Sequence, residues 1–137
     1  MNSIRKLLRD LRGELDEAAL VLPVLLLISL GLVNLGILGF AAMNAGNAAN
    51  YGARMGSVAQ SDPTGVAASS AYQMLSAAPV GTYAVTVTGS GLPGDMMVVR
   101  VSYTVPNYFA GLASLFGVSA PGEFTSSTSA YFRQEGW

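Results

Sequence analysis

Acid–base chemistry in this chain would have to come from carboxylates, because its 137 residues include no histidine and no cysteine. That removes imidazole bases, Ser-His and Cys-His triads, thiolate metal sites and disulfide staples. Asp62, Asp95, Glu123 and Glu135 are isolated from one another, and no two stand at a spacing that would make a catalytic pair or a metal site. Serines and threonines are plentiful, but no base accompanies them in pattern, so they read as solvated strand surface. Gly89-x-Gly91-x-x-Gly94 spells a glycine fingerprint. It falls between two alternating segments rather than at the strand-to-helix turn a dinucleotide site needs, and it reads as a hairpin loop. Only convergence of Asp95, Arg100 and Glu123 in one cleft would make an enzyme of this chain. The expectation is no catalytic residue, no metal and no cofactor. With no basic patch interleaved with aromatics, nucleic acid is not an expected partner either.

The polar chemistry is sparse because the chain is organised around an apolar helix. No charged residue stands between Glu17 and Arg54, and 18–43 is almost entirely Leu, Val, Ile, Ala and Gly. A helix needs about 20 such residues to cross the hydrocarbon core. The run is too long, and too far from the start, for a cleaved secretory signal. It continues through Ala41–Asn50 in residues that remain helical in composition but no longer prefer lipid, so one helix leaves the membrane and keeps going. Arg5, Lys6, Arg9 and Arg12 precede it, and basic flanks stay on the cytoplasmic side. The N-terminus is therefore expected inside and the C-terminal part outside. Ile4, Leu7, Leu8 and Leu11 at helical spacing fit either a short amphipathic helix on the inner leaflet or a plain topology-setting leader.

The order Arg12-Gly13, then Glu14, Asp16 and Glu17, then Ala19-Leu20-Val21-Leu22-Pro23 is that of a prepilin-like signal. With it, Asn47-Ala48-Ala49-Asn50-Tyr51-Gly52-Ala53-Arg54 and the closing Ser127 to Glu135 segment make the chain resemble the TadE-like (TadE/TadF) pilin-like proteins of tight-adherence pili. Two departures stand out. Glu17 is the fourth residue after the glycine where the family usually has Glu at the fifth, and Asn50-Tyr51 replaces an Arg-Glu pair. The resemblance implies leader processing between Gly13 and Glu14 by a prepilin peptidase. It also implies residence in the inner membrane before assembly by the tight-adherence machinery, and copies of itself or other pilins as filament partners. In such filaments a glutamate at the place of Glu17 neutralises the free amine of a neighbouring cut subunit.

Along the helix, Ala41, Ala45, Ala49 and Ala53 recur every four residues, as do Ala48, Gly52 and Gly56. Stripes of small residues let helix backbones approach closely. They suit either a bundle of like helices or a stem lying on its own domain. Asn44, Asn47, Asn50 and Arg54 form a polar ridge beside them, able to hydrogen-bond between helices. Pro23 removes one backbone bond and is expected to bend or open the helix locally. The expected assembly residues are thus Glu17, Pro23, Ala41, Ala45, Ala48, Ala49, Gly52, Ala53 and Gly56.

Past the helix, Asp62-Pro63 reads as a cap and first helical position for a short helix over 66–77, which Pro79 ends. Thr82–Thr88 alternates with Tyr83, Val85 and Val87 on one side. Met97, Val99, Val101, Tyr103 and Val105 alternate in a second strand that Pro106 closes. Asn107 caps a helix carrying Tyr108, Phe109, Leu112, Leu115 and Phe116, and a third strand runs over 124–133 with Ala130 and Phe132 inward. The expected fold class is α+β and pilin-like, a long N-terminal transmembrane or filament-core α-helix followed by a small antiparallel sheet domain with short helices. Its parts are a basic cytoplasmic leader at 1–13, the long helix at 14–60 with its span over 18–43, and an extracytoplasmic domain at 61–137. The function that the resemblance implies, and that this layout suits, is a structural pilin-like subunit of a tight-adherence-type extracellular pilus, inserted in the inner membrane and assembled through its N-terminal helix. The alternative is a single-pass membrane-anchored binding or scaffold protein that aids pilus or secretion-machine assembly without forming the filament.

Overall fold

The computed structural model describes residues 2–77 and 80–135, giving the helical backbone alone for 2–14 and 16. Helix α1 runs unbroken over Asn2–Ser57 with Pro23 inside it, and the backbone of residues 2–13 is part of it. It ends three residues before the expected limit of the stem. Its last turn carries Arg54, a charge that suits the negative end of the helix dipole. The other end of the chain ties it down: the Glu135 backbone N–H donates to the Ser57 carbonyl at 2.9 Å, and just beyond the helix the Gln134 side-chain amide donates to the Ala59 carbonyl at 3.0 Å.

Helix α2 (Pro63–Ser76) begins earlier than its apolar periodicity suggested, because Asp62 acts directly as its N-cap. Asp62 takes a left-handed conformation (φ 45°) that turns its carboxylate back onto the Gly65 N–H at 3.0 Å, and Pro63 supplies a fixed φ at the first helical position. The Pro79 stop lies outside the described residues. Strands β1 (Thr82–Thr88), β2 (Met96–Pro106) and β3 (Glu123–Arg133) form an antiparallel sheet in the order β1-β2-β3, with α3 (Tyr108–Leu115) between the last two. The register sets Tyr83, Val85 and Val87 opposite Tyr103, Val101 and Val99, and Ala130 and Phe132 opposite Val99 and Met97. Every one of these side chains is therefore on one face.

That face meets α1 and α2, and the core of Met97, Val99, Val101 and Val105, all fully buried, lies between them. At 1.5–3 kcal/mol for each large apolar side chain buried, roughly, this row is the main source of the domain's stability. The opposite face is polar: Arg100 donates to Ser129 Oγ at 3.2 Å, and Thr104 and Thr125 share a bond of 3.1 Å across β2 and β3. At the β1 edge, the Tyr72 hydroxyl of α2 accepts from the Val85 N–H at 3.2 Å.

Strand β2 lies along the upper part of α1 and returns towards its middle. A Cβ on Gly56 would touch Met97 Sδ, and Asn107, just after β2, touches Asn34. The helix rises about 33 Å between those two points, and ten residues of strand cover about the same. The outer domain is thus a thin slab strapped along the stem, with the β1–β2 loop at its far end and α3 at its near end.

Candidate functional site: the two faces of the long helix

Two lengths of α1 differ in what covers them. Over 15–33 most of the described side chains are exposed, Leu20 by 75% and Leu32 by 64%, with only Pro23, Leu27 and Leu30 half-buried. From Asn34 onward one face is buried under the domain. By length and composition this helix can cross a membrane. The bare length is the part apolar enough to need lipid or other helices around it.

The small-residue stripe occupies the buried face. Ala41, Ala45, Ala48 and Ala53 are fully buried, Ala49 nearly so, and Gly52 and Gly56 join them. Of the two packings that such a stripe allows, the structure occupies the one on its own domain. At Gly52 an added Cβ would lie 2.6 Å from the Ala67 carbonyl oxygen and 2.9 Å from Ala71 Cβ. At Gly56 it would lie 2.6 Å from Ala67 Cβ and 2.8 Å from the Pro63 carbonyl oxygen. Only glycine lets α1 and α2 come this close.

The polar ridge divides. Asn47, Asn50 and Arg54 point to solvent, and the Asn50 amide donates to the Gly46 carbonyl of its own helix at 2.9 Å. Asn44 turns inward instead, towards the Tyr83 hydroxyl. The two groups face each other closely enough for the amide to stabilise the phenolate, but without the alignment of a hydrogen bond. Burial dominates, and pushes the Tyr83 phenol above its ordinary value. Glu17 is exposed at the lower end of the bare length, and Pro23 is half-buried within the continuous helix. The backbone of Gly13 and Glu14 is helical, and the Glu14 side chain lies outside the described residues.

One residue of the junction escaped sequence reasoning. Asn34, buried amid the apolar run, donates from Nδ2 to Asn107 Oδ1 at 2.7 Å and accepts from the Tyr108 N–H at 3.3 Å. Asn107 Oδ1 also caps α3 by accepting from the Phe109 N–H, and its amide donates to the Pro121 carbonyl at 2.7 Å. The signal was present: a lone amide inside a membrane-grade run is expensive unless paired, and a cap asparagine is a ready partner.

The carboxylates do not converge. Asp95 precedes β2 and Glu123 pairs with Pro106 at its other end, about 35 Å away along the strand, with Arg100 on the polar face between them. Among the described residues no group of three acidic side chains is placed to hold a metal ion. The glycine fingerprint lies in the β1–β2 loop. Gly91 and Gly94 have φ of 70° and 91° there, the Ser90 hydroxyl bonds the Asp95 carboxylate, and Arg133 donates to the Gly94 carbonyl at 2.8 Å. The glycines serve the turns of that loop.

The architecture is thus α+β: a long N-terminal helix, bare below and built into a small antiparallel sheet domain above. Residues 17–54 match the family model described as TadE-like protein. The matched segment starts at Glu17 and ends at Arg54, taking in the bare length and most of the buried stem and stopping short of the sheet. No curated protein and no solved structure matches the chain.

Proposed function

We propose that this protein is a structural subunit of a tight-adherence-type pilus, held in the inner membrane by α1 and built into the fibre through the same helix. The observation that carries the reading is the bare apolar length of α1 below Asn34, set beside a domain that already buries its own stem. Lipid satisfies that surface before assembly, and the corresponding helices of neighbouring subunits replace the lipid afterwards. One surface then serves every copy, as a helical assembly requires. The sheet's polar Ser/Thr face forms the outside. Glu17, at the lower end of the bare length, is costly inside such a bundle unless a neighbour's cation meets it. The reading assigns no catalytic step.

The test is mass analysis of protein recovered from sheared cell-surface material. Recovery in that fraction is the expected result, and a mass starting at Glu14 adds cleavage after Gly13. A mass starting at Met1 supports a filament of uncut subunits. Absence from the fraction, with the protein retained in the membrane, overturns the reading in favour of a membrane-anchored scaffold.

A further inference from the structure

The near end of the outer domain is largely apolar, with one exposed charge, Glu123, opposite Pro106 at its rim. No charged residue stands between Arg100 and Glu123, and α3 with the turn after it exposes Tyr108, Leu115, Phe116 and Val118; Leu115 is 78% exposed. An exposed apolar cluster of this kind marks a surface made for something other than water. Its height along α1 identifies that something. A crossing of about 20 residues that begins after Glu17 reaches the outer hydrocarbon boundary near Leu38. Asn34, which holds Asn107 and the Tyr108 N–H, lies about 6 Å below that boundary at 1.5 Å per residue. A groove of about 290 Å³ separates α3 from α1, lined by Gly31, Leu35, Leu38, Phe109 and Phe124 beside the two asparagines. It opens at the same depth.

We infer that α3 is a second membrane-seated element, lying in the outer leaflet against α1 with Leu115, Phe116 and Val118 among the acyl chains and lipid filling the groove. This rests on the reading that α1 crosses the membrane. Its apolar surface is continuous with that of the span, and the paired asparagines explain how two polar side chains are tolerated there: each amide is satisfied within the protein. Tyr108 at the start of α3 suits the interface, where an aromatic ring with a polar end is favoured. The outer domain is thereby fixed in height and rotation on the bilayer rather than swinging on its stem, and α3 must leave lipid when the subunit leaves the membrane.

The natural chain has no cysteine, so single nitroxide labels report position directly. Full-length protein carrying Phe116→Cys or, separately, Val118→Cys is reconstituted in phosphatidylethanolamine–phosphatidylglycerol vesicles at high lipid excess. Leu26→Cys serves as the span reference and Thr86→Cys as the aqueous one. The expected result is that labels at 116 and 118 are relaxed preferentially by oxygen, as at 26, with the oxygen-to-nickel preference inverted relative to 86. Labels at 116 and 118 that behave like 86, while 26 remains in lipid, overturn the inference and leave the span intact. Labels at 116 and 118 shielded from both reagents, with spin–spin broadening between copies, overturn it in favour of a second copy on this surface. A label at 26 that reads as aqueous removes both the span and the inference.

Discussion

Gly52→Ala and Gly46→Ala form a matched test of how closely α2 is seated on the stem. Each replaces a helical glycine with alanine, and each gains up to about 1 kcal/mol of helix propensity. At Gly46 nothing lies within 4 Å of the added methyl group, so that gain is expected in full. At Gly52 the methyl would sit 2.6 Å from the Ala67 carbonyl oxygen and 2.9 Å from Ala71 Cβ. The first of these is backbone and cannot rotate away, so α2 must shift from α1 and loosen its contacts. Overpacking of this kind costs about 1–3 kcal/mol. Because the propensity gain is common to both variants, the difference between them is the packing cost alone. The assay is thermal unfolding of the full chain in detergent micelles, followed by near-ultraviolet circular dichroism of the outer-domain aromatics. For a domain of this size 1 kcal/mol moves the midpoint by about 4–8 °C, so Gly52→Ala should melt at least about 4 °C below Gly46→Ala. Equal midpoints would refute the close seating, and with it the assignment of the small-residue stripe to the domain's own core.

Asn34→Leu should loosen the junction locally, because the Tyr108 N–H loses its acceptor and Asn107 loses one donor. A cost of about 1–3 kcal/mol is expected. It should appear as faster amide exchange over 107–122 with the β1–β2 loop unchanged, and unchanged exchange over 107–122 would refute the junction. Tyr83 gives a pH dependence whose sign follows from its buried phenol. In the unfolded chain the group ionises at about its ordinary 10.0, whereas in the folded protein it holds its proton to higher pH. Above pH 10 the unfolded state therefore binds fewer protons, and stability falls as pH rises through that window while remaining indifferent to this group below it. Tyr83→Phe should flatten the fall in denaturation midpoint at alkaline pH. It should cost little at neutral pH, since the hydroxyl has no hydrogen-bond partner to lose.

The elements themselves were legible because their signals are one-dimensional. The strict alternation of Thr82–Thr88 and of Met97 to Val105 states a period of two, and Asp62-Pro63 and Asn107 announce helix starts through their own side chains. The unbroken absence of charge from Ala18 to Ala53 states a helix that leaves water. Its pairing with Arg12-Gly13 and Asn47 to Arg54 carried the family resemblance. What periodicity does not contain is the identity of the partner. The stripe from Ala41 to Gly56 permits close approach of any backbone, and only the fold decided that the backbone is α2 and the sheet rather than another α1. The same holds for Asn44, which shares a ridge with Asn47 and Asn50 in sequence yet faces the Tyr83 side chain once the sheet packs on the helices. Asn34 and Asn107 stand 73 residues apart, and no local pattern joins them. Their meeting depends on β2 running back down the stem for about the same 33 Å that α1 climbs, a match of lengths that exists only when helix rise and strand rise are laid side by side.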